Sequence, residues 1–168
     1  MNYIQANPEG VDVSIQRIQT HLYNKLGWAN IDVFGRIYRI NEKPNAFIKN
    51  NEYKEVFSND KNTASIYFIV DDKHSTIDGI SFMVKVKIVF LVDLRKITLE
   101  TDTRPDSLVQ QQAKLCVNGA KSFRFNDGLE TGLTNVFKGF ETKGLERLDL
   151  NPLHLFSLNG EISYSKKC

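Results

Sequence analysis

Between residues 80 and 97, apolar side chains recur at every second position: Phe82, Val84, Val86, Ile88, Phe90, Val92 and Leu94. The positions between them start polar, at Ser81, Lys85 and Lys87, and turn apolar at Val89 and Leu91. A period of two predicts a strand with one buried face, because successive side chains of a pleated strand point to opposite sides. At ~3.3 Å per residue the stretch from Ser81 to Ile97 would reach roughly 55 Å. A compact chain of this size is only about 40 Å across. The strand therefore either bends at a bulge or projects as an arm.

The rest of the chain divides by period. Val11, Ile15, Ile18, Leu22 and Leu26 fall three and four apart, the spacing of one helix face, with Asp12 or Ser14 as cap and Gly27 as stop. The opposite face, including Gln16, Arg17, Gln19, Thr20 and His21, reads as solvated. Residues 31–40 return to strand character, with Gly35 marking a bulge or a close approach. Pro44-Asn45 is a turn, and residues 46–49 and 52–57 are short extended pieces. Residues 64–70 form the next strand, and the polar run 71–79, which includes His74, is expected to be a mobile hairpin connector. Asp106 or Ser107 caps a helix striped by Val109, Ala113, Cys116 and Ala120. Leu129, Leu133, Val136, Phe137 and Phe140 predict a further helix, and a strand follows Pro152, with a bulge at Gly160. Helices grouped around a run of strands predict one α+β domain over residues 1–168. It is a mainly antiparallel sheet with a long β-hairpin and helices packed on one face.

Composition narrows the function more than it names one. The chain has 168 residues, 41% hydrophobic and 25% charged, the balance of a soluble globular protein. A net charge of +2 is too mild to argue for nucleic-acid binding. The first residues lack the features of a signal peptide, and no apolar run exceeds five residues, so the expected compartment is cytosolic and reducing. Cys116 and Cys168 make no disulfide framework. A Cys116–His154 nucleophile pair has no supporting signature, and His21, His74 and His154 lack zinc-site spacing. Asp71, Asp72 and Asp78 lack the ligand pattern of a calcium loop, and no glycine cluster cradles phosphate. Glu52 and Glu55 lack a cleft that would make them a catalytic pair. The expectation is a protein without catalytic residues, cofactor or metal.

Three stretches, Asp32-Val-Phe-Gly-Arg-Ile-Tyr-Arg39, Asn51-Glu-Tyr-Lys-Glu-Val-Phe57 and Leu148-Asp-Leu-Asn-Pro-Leu-His-Leu-Phe156, resemble segments of small proteins encoded beside the tail genes of tailed phages and prophages of Bacteroidetes-type hosts. The element order resembles that of tail terminator proteins. The resemblance implies a structural subunit of the virion neck, assembled in the host cytoplasm. It implies a six-fold homo-oligomeric ring that caps the tail tube, joins the head connector or adaptor and lets DNA through its lumen, with no membrane contact. The extra length over residues 118–150 sets the chain apart from better-known terminators and leaves open another neck ring or head–tail adaptor. A monomeric binding module with a ligand pocket is the rival from another class. For a ring, the overlong strand suggests one contact patch at Met83, Lys85 and Lys87. Glu52, Tyr53, Lys54, Glu55 and Phe57 are the candidates for the opposing patch.

Overall fold

A computed structural model describes residues 1–97 and 104–165, the side chain of Asp127 aside. Cys168 lies outside the described residues. Helix α1 (Val11–Lys25) precedes strands β1 (Ile31–Ile40), β2 (Lys43–Lys49), β3 (Glu52–Glu55), β4 (Ala64–Thr76) and β5 (Ser81–Asp93). Helix α2 (Asp106–Asn118), strand β6 (Phe123–Thr131), the single turn α3 (Leu133–Val136) and strand β7 (Leu153–Ser165) follow. The strands form one sheet in the order β3-β2-β1-β4-β5-β7-β6. Every neighbouring pair is antiparallel except β1 and β4. The fold is α+β with a mainly antiparallel sheet, as the sequence predicts.

The two long helices lie on one face. Val11, Ile15, Ile18 and Leu22 of α1 and Val109, Ala113 and Val117 of α2 are buried against Ile66, Phe68, Ile88, Phe90, Phe156 and Leu158 of the sheet. Neither helix uses the cap its sequence offers. Gly10 precedes α1 at φ 56°, while Asp12 accepts from Arg36 at 3.1 Å and Ser14 donates to the Ser163 carbonyl at 3.3 Å. Pro105 precedes α2, and Asp106 accepts instead from Arg104 at 2.6 Å. Gln19, on the predicted solvated face, is buried and donates to the carbonyls of Tyr3 and Val33. The bulge predicted at Gly35 is present, as a register shift between Val33 and Arg36.

The other face carries a second, smaller core. Phe34, Tyr67, Val89, Leu91 and Leu155 of the sheet are sealed by Val136 and Phe137 of α3 and its exit, and by Leu145 and Leu148. Tyr67 stacks on Phe34 at 4.7 Å between ring centroids, Phe34 stacks on Tyr3 at 4.4 Å, and the Tyr67 hydroxyl donates to the Phe57 carbonyl at 3.1 Å. Burial pushes the Tyr67 phenol well above its ordinary pKa. The predicted helix over 129–140 shrinks to one turn, because Leu129 belongs to β6 and Gly132, at φ 86°, breaks the backbone before Leu133. β6 itself is not foreseen by the periodicity.

The hairpin is longer than predicted. β4 continues past Val70, through an irregularity before His74, to Thr76, so the nine-residue connector reduces to a turn over residues 77–80. β5 ends at Asp93, whose carboxylate accepts from the Arg95 backbone N–H at 3.1 Å and from the Arg95 guanidinium, starting a 3-10 turn. The Arg95 hydrogen bonds hold the Asp93 carboxyl below the usual carboxylate range. β7 pairs with β5 without a break from Asp93↔Leu153 to Ser81↔Ser165. The bulge predicted at Gly160 sits on β6 instead, between Phe125 and Gly128. Gly160 answers a close approach: an added Cβ would lie 2.4 Å from the Arg124 carbonyl oxygen and 2.4 Å from the Phe123 ring.

Candidate functional site on the open face of the sheet

Where the second core stops, the sheet face stays open. A groove of about 880 Å³ crosses β1, β4, β5, β7 and β6 there, with Ile37, Ile69, Lys85, Asn159, Lys138 and Phe140 among its lining residues. Pleat parity explains its chemistry. Val84, Val86 and Ile88 point into the helix-covered core, so the odd-numbered Met83, Lys85 and Lys87 must point to the opposite face. Lys85 is exposed, and neither it nor Lys138 has an ion pair among the described residues. Arg39 lies over the Phe140 ring at 5.3 Å and makes a long 3.9 Å contact with the exposed Glu42. Lys87 is already engaged, at 2.5 Å from Glu130 and 3.1 Å from the Asn135 carbonyl. Asp71 and Asp72 bound the groove at the end nearest the hairpin turn.

The two predicted patches stand at different places in the sheet. Met83, Lys85 and Lys87 are in its middle, on β5. Glu52, Tyr53, Lys54 and Glu55 form the edge strand β3. Local contacts occupy much of that edge: Glu55 pairs with Lys43 at 3.3 Å, and Lys54 sits 3.9 Å above the Phe57 ring. Tyr53 meets Tyr38 and Phe47 edge-on. Phe57 is half-buried against the second core.

The histidines and the cysteine fall elsewhere. His21 is not solvated, since its Nε2 lies 2.9 Å from the Cys116 carbonyl and ties α1 to the end of α2. His74 is on β4, not in a loop, with Nδ1 2.5 Å from the Tyr164 hydroxyl. His154 is buried, stacks on Phe156 at 5.1 Å and contacts Gln110 at 2.9 Å. Cys116 and His154 are thus committed to different neighbours, and burial raises the Cys116 pKa. Asp78 spends its carboxylate on the turn, accepting from the N–H groups of Ile80 at 2.9 Å and Ser81 at 2.6 Å. Among the described residues no group of three or more His, Cys, Asp or Glu side chains could hold a metal ion. No described helix is long and apolar enough to cross a membrane.

Sequence reasoning missed the outer part of the hairpin. Ile77 is 100% exposed and Ile80 60% exposed, at the tip of paired strands. Two isolated isoleucines beside Asp78 and Gly79 carry no periodic signal, so only the exposure reveals them.

No protein family, curated protein or solved structure matches this chain. Residues 32–39, 51–57 and 148–156 meet in one place. Phe34 and Ile37, Val56 and Phe57, and Leu148, Leu153 and Leu155 all pack into or against the second core.

Proposed function

We propose that the chain is a structural subunit of a tailed-phage neck, a tail terminator whose copies form a six-fold ring. The ring caps the tail tube and meets the head connector, and DNA passes through its lumen. The observation that carries this reading is the outer end of the β4–β5 hairpin. There β7 stiffens it into a three-stranded arm, and the arm presents two isoleucines to water. A stiff arm with an apolar tip suits a neighbour contact better than life as a free edge. The described sheet also ends in two strands paired on one side only, β3 and β6, which suits lateral assembly. The sequence resemblance of the three stretches supports the phage setting, with another neck ring or head–tail adaptor as the near variant of the same reading.

The groove favours one reading of a different class, a monomeric binding module, because its volume falls in the range of small-molecule sites. Negative-stain images of the purified protein separate the two. Closed rings with a central opening are expected of a neck subunit. A field of single small particles at every concentration would support the binding module instead.

A further inference from the structure

We infer that the groove on the open face receives the hairpin tip of a second copy of this chain, an inference that rests on the ring reading and names its contact. The tip is a fixed knob. Thr76 Oγ1 accepts from the Gly79 N–H at 2.8 Å and donates to the Ser81 carbonyl at 2.8 Å, and Asp78 Oδ1 takes the N–H groups of Ile80 and Ser81. Gly79, at φ 74°, supplies the left-handed residue the turn needs. These bonds hold Ile77 and Ile80 on either side of Asp78. The backbone donors also keep the Asp78 carboxyl below its ordinary pKa, so it is negative at neutral pH.

The groove offers the complement. The half-buried Ile69 and Phe140 supply apolar surface, while Lys85 and Lys138 supply cations with no ion-pair partner among the described residues. An acidic, isoleucine-flanked turn matches a mainly polar groove in which Lys85, Lys87, Lys138, Arg36 and Arg39 outnumber Asp71 and Asp72 beside the apolar Ile69 and Phe140. The tip cannot fold back into its own groove. β5 stays paired to β7 out to Ser81↔Ser165, and about 16 Å of strand separates Ile80 from Lys85. The occupant must come from another molecule. Because tip and groove are different patches of one chain, the contact is head-to-tail, and it closes into a ring if the rotation permits.

The test uses two variants of the full chain, Ile77→Ser with Ile80→Ser in the tip, and Lys85→Gln with Lys138→Glu in the groove. Their masses are measured by light scattering beside the wild type, with circular dichroism to confirm folding. Wild type is expected as a closed oligomer and each variant as a single chain. An equimolar mixture of the two variants is expected to give a heterodimer and nothing larger, because one intact tip meets one intact groove. An oligomer that survives either pair of substitutions, or a mixture that stays monomeric, overturns the pairing and leaves the ring reading standing. A wild type that is monomeric at every concentration overturns both.

Discussion

The inner and outer halves of the β4–β5 hairpin share one ladder and differ in almost everything else. Inside, Ile66, Phe68, Ile88 and Phe90 are fully buried on the helix side, and Tyr67 and Val89 on the other. Outside, Asp71, Asp72, Lys73, Ser75 and Thr76 are exposed, and the Phe82–Tyr164–His74 cluster covers part of the arm. The backbone pairing is continuous through the inner half and resumes from His74↔Val84 to Thr76↔Phe82 after a register shift at residues 71–73. Hydrogen bonds hold both halves of the hairpin together, while burial gives only the inner half its stability. The outer half is free to be shaped for something other than folding.

Substitutions should separate the halves. Phe90→Ala empties a site enclosed by Phe156 and Trp28 and is expected to cost about 3–5 kcal/mol in denaturant unfolding. Gly160→Ala, on the β7 strand that braces the hairpin, forces a methyl into the Arg124 carbonyl and the Phe123 ring. It should cost about 1–3 kcal/mol by the same measurement.

A smaller effect is expected from His154. Burial lowers its pKa below the ordinary 6.5, against the raising influence of Asp106 and Asp149 and with help from Arg104. Below pH 6.5 the unfolded chain binds a proton that the folded chain resists, so stability should fall as pH drops from 6.5 through the folded value. His154→Gln should flatten that part of the stability-versus-pH curve, and an unchanged slope would show that His154 does not set it. Lys87→Met breaks a partly exposed pair with Glu130 and should cost under about 1 kcal/mol, less still in high salt. At the far end, Ile77→Ser with Ile80→Ser should leave the unfolding free energy of the single chain within about 0.5 kcal/mol, because neither side chain is buried. A large loss there would erase the contrast between the halves.

The inner half was legible because Ile66, Phe68 and the even positions from Phe82 to Val92 alternate against one covered face. The outer part of β4 was not legible, since nothing covers it and polar residues stand on both sides of the pleat. Hydrogen bonding alone leaves no mark on residue choice. β6 was hidden for a related reason: Asn126, Asp127 and Gly128 interrupt its alternation at the bulge. The helix expected over 129–140 came from Leu133, Val136, Phe137 and Phe140, which reach a core through one helical turn and a coil, and from Leu129, which is exposed on β6. Of the candidate site, Lys85 was readable from its parity, and Lys87 was readable too, although Glu130 claims it. Lys138, Phe140 and Arg39 join Lys85 only through the fold, so no local pattern could have grouped them.

Whether the outer hairpin serves a neighbouring copy is decided by native mass spectrometry of the wild-type protein over a concentration series. A closed oligomer of defined size, six copies for a terminator ring, is the predicted result. A single chain of 19.2 kDa at every concentration would contradict it.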